Sequence, residues 1–154
     1  LGEGVKVLER GTDENGAIGH GWTYSAHPIG AAAGVANLKV VDELDLVTNA
    51  RETGAYFNKA MKDALSGHRH VGDVRGEGLL NAVEFVEDKD DRKFFDPAKK
   101  VGPQVATALL RLGIIGRAMP QGDILGFAPP LCLTRAEADT IVAGAKKAVT
   151  EVLG

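Results

Sequence analysis

The chain has 154 residues, of which 44% are hydrophobic and 25% are charged, and its formal net charge at pH 7 is -3. This length and composition predict one domain with a hydrophobic core, with room for a small appendage, and they exclude a disordered protein. The acidic balance and the lack of a cluster of basic residues argue against a nucleic-acid partner. The longest apolar stretch, 29–41, is too short and too polar to cross a bilayer, so no membrane partner is expected.

The start of the chain and its cysteine content bear on processing and location. No positively charged segment followed by an apolar one opens the sequence, so nothing marks it for secretion. The single cysteine, Cys132, cannot form an internal disulfide bond, which favours the cytoplasm. Leu1 lies within a helical pattern with no capping residue before it, so we expect that processing or truncation removed a preceding part.

The first elements alternate between helix and loop. Residues 1–10 have the pattern of a helix that ends at Gly11 and the polar turn after it. The segment 17–28 has neither helical nor strand periodicity, which predicts an ordered loop with at most one short strand. Pro28 suits the first turn of a helix, and apolar residues recur every three positions after it, so a second helix is predicted there.

A third helix and two strands follow. Asn49 and Glu52 have the spacing of a capping box, which predicts a helix that starts at Asn49 and ends at Gly67. Its inner face is predicted to carry four apolar residues: Ala50, Phe57, Met61 and Ala64. The strand pattern then begins at 71–78, and 79–88 is apolar on both faces, which predicts an inner strand that is covered on both sides.

The remainder of the chain repeats the same order of elements. Asp96 and Pro97 open a helix that ends at Gly113, and two short strands are predicted around 114–118 and 124–127. A capping box of Thr134 and Glu137 starts the last helix. The order from Val71 is strand, strand, helix, strand, strand, helix. This order is typical of a small α/β sandwich, in which helices pack against a short, largely antiparallel sheet.

Short motifs do not assemble a complete active site. The sequence contains no phosphate-binding GxxxxGK, no GxGxxG between strand and helix, and neither CxxC nor HExxH. His20 and His27 could bind a metal together, but no acidic or cysteine ligand stands at a useful spacing, so hydrogen bonding within the loop is the favoured interpretation. His68 and His70 are interpreted as residues that interact with the dipole at a helix end.

Two places nevertheless carry unusual polar residues. The run GHGWTYSAHP, 19–28, contains the chain's only tryptophan, and its backbone N–H groups with the Thr23 hydroxyl suit a phosphate oxygen. The alternative is that Thr23 and Ser25 simply cap turns. Arg117, after an apolar strand, could bind a carboxylate through two guanidinium nitrogens, or it could lie in water at the edge of a sheet.

Three segments in order resemble the C-terminal third of class III, pyridoxal-phosphate-dependent aminotransferases of the ω-amino acid:pyruvate or amine:pyruvate kind. HGWTYSAHP is similar to the family's HGxTYSGHP, VGDVRGEGLLNAVEFV to the start of its small domain, and RAMPQGDILGFAPPLCLT to its late Arg…GD…PPL stretch. The resemblance implies a fold-type I α/β fragment. It assigns 1–28 to the end of the large cofactor-binding domain, 29–68 to connecting helices, and 69–154 to the small C-terminal α/β domain.

The resemblance also implies site residues. Trp22 and Thr23 would reach across a dimer interface to the phosphate of the pyridoxal 5'-phosphate (PLP) bound by the other subunit, with Trp22 shaping the pocket wall. Arg117 matches the family's mobile arginine, which pairs with a substrate carboxylate. Ala26 departs from the pattern, since many relatives have glycine there. The family's Schiff-base lysine lies upstream of the matching region, so no catalytic residue is expected in this chain, and alone it should be inactive.

The implied function is the transfer of an amino group between an amine or ω-amino acid and a keto acid such as pyruvate, by a cytoplasmic homodimer or larger homo-oligomer. Two alternatives remain open. One is a sister reaction of the same fold, by an aminomutase or a decarboxylase. The other is a non-catalytic α/β interaction module. Loss of the partner surfaces further predicts that the chain alone exposes apolar surface and self-associates.

Overall fold

The computed structural model describes residues 2–17, 21 and 23–154. The chain divides into two compact units, Leu1–Lys39 and Val40–Gly154. Helix α1 (Gly2–Asn15) lies in the first unit, and helix α2 (Pro28–Glu43) begins there. The elements of the second unit are α3 (Leu46–Leu65), β1 (Val71–Glu77), β2 (Leu80–Phe85), α4 (Val101–Arg111), β3 (Arg117–Ala118), β4 (Ile124–Phe127) and α5 (Arg135–Leu153).

Helix α1 continues past the glycine that was predicted to end it. A side chain at Gly11 would meet no atom within 4 Å, and Thr12 Oγ1 donates to the Leu8 carbonyl oxygen at 2.9 Å inside the continuing helix. The helix ends at Asn15, before Gly16, whose φ of 80° is the left-handed conformation that terminates many helices. The prediction for Gly11 was therefore wrong by one helical turn.

Helix α2 begins at Pro28 as predicted, and it has no buried residue. Its apolar side chains are exposed, among them Ile29, Val35 and Leu38. This is the exposed apolar surface that the sequence predicted for the chain alone. Self-association through it stays a prediction.

The four strands form one antiparallel sheet in the order β1-β2-β4-β3, which confirms the predicted α/β architecture. Strand β2 is an inner strand, as predicted, but only one of its faces is buried. Asn81, Val83 and Phe85 point to the buried side, whereas Leu80 is 62% exposed. The prediction that β2 is covered on both sides was wrong for this chain, because one face of the sheet stays open.

The core of the second unit lies where helices α3, α4 and α5 meet the sheet. Phe57 of α3 packs edge to face against Phe127 of β4, with ring centroids 6.4 Å apart. Met61 and Val83 are fully buried beside them, which confirms the predicted inner face of α3. The remaining fully buried large side chains are Phe85, Leu65, Leu109, Leu125, Val71, Val105 and Val149.

The predicted start of helix α5 is confirmed, whereas the predicted start of helix α4 was wrong. Thr134 Oγ1 accepts from the Glu137 N–H, and the Glu137 carboxylate accepts from the Thr134 N–H at 2.8 Å, so the predicted capping box of α5 is confirmed. Asp96 and Pro97 instead open a short 3-10 turn, Pro97–Lys99. Lys100, with φ of 48°, interrupts the chain there, and α4 starts only after it.

Asn49 connects two elements instead of capping one. Helix α3 already starts at Leu46, so the predicted capping box of Asn49 and Glu52 was wrong. The Asn49 Nδ2 group donates to the carbonyl oxygens of Leu131 at 2.7 Å and Leu133 at 3.1 Å, while its Oδ1 accepts from Thr53 Oγ1 at 2.9 Å. Asn49 thereby ties α3 to the segment that follows β4.

Replacing Asn49 by alanine is expected to lower the free energy of unfolding by about 2 kcal/mol, because two carbonyl groups lose their donor. Urea unfolding of the chain and its variant measures the difference. Asn15→Ala is the matched control, since the Asn15 Nδ2 group donates only to the Gly11 carbonyl within its own exposed helix. Equal losses in the two variants would contradict a tertiary role for Asn49.

Candidate functional site

A row of four residues crosses the open face of the sheet. Arg75 of β1 lies opposite Ala82 of β2, Ala82 lies opposite Gly126 of β4, and Gly126 lies opposite Arg117 of β3. Residues directly opposite each other share a face of the sheet. Because neighbouring strands are about 4.8 Å apart, the two arginines of the outer strands start roughly 14 Å apart, with only small residues between them.

A cavity of about 630 Å³ lies over this row. Besides the two arginines, its lining includes the apolar side chains of Leu80, Ile115 and Met119. Leu80 and Ile115 are 62% and 84% exposed, so this face of the sheet presents apolar surface to the cavity. The site therefore combines an arginine at each edge with a largely apolar interior.

Arg75 already has partners for its charge. Its Nη1 donates to Asp73 Oδ2 at 2.9 Å and to Glu84 Oε2 at 2.7 Å. These hydrogen bonds, the one to Asp73 first and the one to Glu84 second, raise the pKa of Arg75 above its ordinary value. The guanidinium of Arg75 is thus neutralised by its own strand and its neighbour.

Arg117, the predicted carboxylate-binding residue, is the first residue of the edge strand β3 and is exposed. Gly116 positions it: a Cβ atom there would lie 2.8 Å from Leu109 Cδ2 and 3.0 Å from Leu125 Cδ1, so the backbone packs closely against the core just before Arg117. No ion pair between residues that the structure describes includes Arg117. Of the two arginines on the row, Arg75 is in an ion pair with carboxylates, and Arg117 is not in an ion pair with any described residue.

The run 19–28 is described at 21 and 23–28, so the predicted site residue Trp22 and the candidate His20 lie outside the described residues. Thr23 lies exposed in a turn that the His27 N–H closes by donating to the Tyr24 carbonyl oxygen at 3.2 Å. His27 Nδ1 then accepts from the Gly30 N–H at 3.3 Å, at the start of α2. His27 thus hydrogen-bonds locally, as the sequence favoured, and it occupies one of the helix donors that a phosphate could have used.

Ala26, in the same turn, has a φ of 61°. This is the left-handed region, which costs a residue with a Cβ atom about 1 kcal/mol or more and costs glycine little. The backbone therefore explains why glycine suits this position in the resembling pattern, and why alanine there is a departure with an energetic cost.

His68 and His70 form hydrogen bonds in the connection between α3 and β1. His68 Nδ1 accepts from the His70 N–H at 3.2 Å, and His70 Nδ1 lies 3.0 Å from the Val86 carbonyl oxygen. His68 Nε2 is buried without a partner among the described residues. Burial, followed by the positive charges of His70 and Arg69, lowers the pKa of His68.

This lowered pKa predicts that acid destabilises the second unit. The folded chain binds fewer protons at His68 than the unfolded chain does, so stability is complete above the ordinary pKa of 6.5 and falls as the pH drops below it. Urea midpoints measured from pH 7 to pH 5 are expected to decrease, and to decrease less in His68→Gln. Identical pH profiles for the two proteins would contradict this role of His68.

Across residues 2–17, 21 and 23–154, no three histidine, cysteine, aspartate or glutamate side chains come together as a metal site. Among the described helices, none is long and apolar enough to span a membrane.

Several residues of the cavity could not be identified from the sequence. Ala82 and Gly126 became part of the site only through the register of the strands, and Met119 and Ile115 lie in it because they flank β3. Only Gly126 could have been singled out from the sequence as a residue of the cavity, because a glycine inside a strand often marks the close approach of another group.

Known proteins resemble almost the whole chain. A family model for aminotransferase class-III matches residues 5–149. The diaminobutyrate–2-oxoglutarate transaminase of Halomonas elongata is 55% identical over 147 residues, which cover 96% of this chain and 31% of that protein. The putrescine–pyruvate aminotransferase of Pseudomonas aeruginosa is 33% identical over 148 residues, with 96% and 31% covered.

Solved structures of transaminases also resemble almost the whole chain. A thermostable (S)-enantioselective omega-transaminase from Thermomicrobium roseum has a TM-score of 0.84 and 38% sequence identity, and the match covers 97% of this chain and 33% of that one. The chain thus spans about a third of the length of the proteins it matches.

Proposed function

Because the chain belongs to the class III aminotransferase family, we propose that the protein carrying it transfers an amino group from an amine or ω-amino acid to a keto acid such as pyruvate. The fold is that of fold-type I transaminases. The observation that carries the proposal for this chain is the position of Arg117, an exposed arginine at the edge of an apolar cavity.

Arg117 binds the carboxylate of the keto acid or amino acid in this proposal. A guanidinium offers two parallel N–H groups whose geometry fits a carboxylate. Arg75 does not compete for the substrate, because Asp73 and Glu84 already hold it. The apolar lining between the two arginines takes up the hydrocarbon part of the substrate.

PLP is the cofactor that the family implies, and it supplies the electron sink for amino transfer. Thr23 fits the proposed contact with its phosphate, since the hydroxyl lies in an exposed turn where it can face a second subunit. In this proposal Thr23 would donate its hydroxyl and backbone N–H to a phosphate oxygen, and Trp22, which lies outside the described residues, would border the same pocket. This arrangement requires a homodimer or a larger homo-oligomer.

The proposed domain assignment follows the family: 1–28 end the large domain, 29–68 connect, and 69–154 form the small domain. The protein is proposed to act in the cytoplasm, in keeping with one cysteine, Cys132, that is not in a disulfide bond. Within the described residues, this chain contributes substrate and phosphate contacts, while the Schiff-base lysine belongs to the part of the family that precedes the match.

The experiment is an amino-transfer assay on the complete polypeptide that carries this chain, purified with PLP. With 1-phenylethylamine and pyruvate, alanine is expected to form. The 154-residue chain with PLP is the matched control and is expected to form none. A complete protein that forms no amino acid from a panel of amines and keto acids would refute the proposal, and activity of the chain alone would refute the assignment of roles.

A further inference from the structure

Strand β3, which carries Arg117, is too short to fix the position of this arginine by itself. It has two residues, and it pairs with β4 through Arg117 and Ala118. The Met119 N–H donates to the Ile124 carbonyl oxygen at 2.8 Å and closes the β3–β4 hairpin. Because β3 is at the edge of the sheet, the position of the Arg117 backbone depends on the elements against which this hairpin packs.

Helix α4 contacts the hairpin, and it starts without a cap from the residue that precedes it. This residue, Lys100, has a φ of 48°, and its side chain makes no capping hydrogen bond. The first N–H groups of a helix have no partner inside the helix. One of them, the Gly102 N–H, donates to Asp123 Oδ1 at 2.8 Å. A side chain of the hairpin, 21 positions further along the chain, therefore caps α4.

Asp123 also joins the hairpin to the inner strand β2. Its carbonyl oxygen accepts at 2.8 Å from the N–H of Phe85, a fully buried residue at the end of β2. A Cβ atom at Gly102 would lie 3.4 Å from Asp123 Cα and 3.5 Å from the Ile124 nitrogen, so the start of α4 lies directly against the hairpin backbone. Asp123 thereby connects α4, β2 and the hairpin at one point.

Helix α4 thus holds the chain on both sides of Arg117. Before Arg117, the backbone at Gly116 packs closely against Leu109 of α4. After it, Asp123 is hydrogen-bonded to Gly102 at the start of the same helix. A displacement of about 1 Å at a group that orients a substrate can cost roughly a hundredfold in rate. Loss of either contact is therefore expected to matter for a two-pronged hydrogen bond from the guanidinium.

We propose that Asp123 is a positioning residue for Arg117: by capping α4 from the hairpin, it fixes the place from which the guanidinium reaches a substrate carboxylate. This inference rests on the proposed aminotransferase function and on the role of Arg117 in it. Asp123 acts through the backbone of the hairpin, and it is not among the residues that line the cavity over the row. Its replacement therefore affects substrates that have a carboxylate and spares amines that have none.

Kinetics of the complete enzyme with PLP test this. In Asp123→Ala, kcat/KM for pyruvate is expected to fall on the order of tenfold through a higher KM, while kcat/KM for 1-phenylethylamine stays within about twofold of the wild type. Asp123→Asn keeps an oxygen acceptor for the Gly102 N–H and should restore the wild-type values. Equal losses for pyruvate and the amine, or the same loss in Asp123→Asn as in Asp123→Ala, would overturn the inference.

Asp96→Ala is the matched control, because it removes another capping carboxylate close to α4. Asp96 Oδ1 accepts from the Ala98 N–H at 2.9 Å and caps the short turn that precedes Lys100. This variant is expected to leave both constants unchanged. A loss for pyruvate as large as in Asp123→Ala would show that any lost cap near α4 has this effect, and would overturn the assignment to Asp123.

A double-mutant cycle separates positioning of Arg117 from an independent effect. Adding Asp123→Ala to Arg117→Ala is expected to cause no further loss in kcat/KM for pyruvate, because the group that Asp123 positions is already absent. A further loss of the same size as in the wild-type background would overturn the inference.

The two kinetic constants come from one preparation, so a smaller folded fraction lowers them together and leaves their ratio unchanged. If Asp123→Ala yields no folded protein, Asp123→Glu replaces it, since it keeps the charge and displaces the carboxylate by one methylene. A fall confined to pyruvate is again expected, and an unchanged ratio of the two constants would overturn the inference. A complete wild-type protein without amino transfer would instead contradict the proposed function.

Discussion

Replacing Arg117 by alanine is expected to lower kcat/KM for pyruvate about a hundredfold in the complete enzyme, with little change in kcat/KM for an amine that has no carboxylate. Loss of a charged hydrogen-bonding partner for a desolvated carboxylate costs roughly 2–5 kcal/mol. A loss of about 3 kcal/mol corresponds to about two powers of ten in rate. Steady-state kinetics with 1-phenylethylamine and pyruvate, varied separately, measures both constants.

Two further variants separate a carboxylate contact from a general loss of charge or structure. Arg117→Lys keeps the charge without the two-pronged geometry, so an intermediate loss is expected. Arg111→Ala removes another exposed arginine, which pairs with Glu151 on the surface of the helices, and should have no effect on pyruvate. Equal losses for pyruvate and amine in Arg117→Ala would contradict the proposed role.

The largest effect on stability is expected from Gly54→Ala. Helix α3 contacts the β1–β2 hairpin at this residue, where an added Cβ atom would lie 2.8 Å from Gly78 Cα and still closer to its carbonyl group. The obstacle is backbone, which cannot rotate away as a side chain can. The variant is therefore expected to lose about 3 kcal/mol of unfolding free energy, at the upper end for overpacking.

Gly34→Ala in α2 is the matched control for this substitution. A Cβ atom at Gly34 meets no atom within 4 Å, so alanine there should be neutral or stabilise the helix by about 0.5–1 kcal/mol. Urea unfolding followed by circular dichroism measures both variants. If Gly54→Ala were as stable as Gly34→Ala, the close packing of the hairpin on α3 would be wrong.

Periodic patterns predicted most of the fold because they report which face of an element is buried. The buried face of α3, with Phe57 and Met61, and the inner position of β2 followed from such patterns. Local capping signals were less dependable. The Thr134 box is present, but Asn49 satisfies carbonyl groups more than 80 positions away along the chain, and no local pattern contains that partner.

The sequence predicted only part of the candidate site, because the site is assembled from residues that lie far apart along the chain. Arg117 was singled out from the sequence, but the row that joins it to Gly126 and Ala82 depends on strand register, which the sequence does not state. Its distinction from Arg75 depends on the ion pairs that Arg75 makes with Asp73 of its own strand and with Glu84 of β2. The cofactor contacts of Trp22 and Thr23 rest on the family resemblance and stay predictions.

The most direct test of the central claim is the amine half-reaction of the complete protein, purified with PLP and followed by its visible spectrum. Addition of 1-phenylethylamine without a keto acid is expected to remove the absorption band of the bound cofactor and to produce that of its amine form. Pyruvate should then restore the original band. A protein that shows no bound cofactor, or a band that a panel of amines leaves unchanged, would contradict the assignment as an aminotransferase.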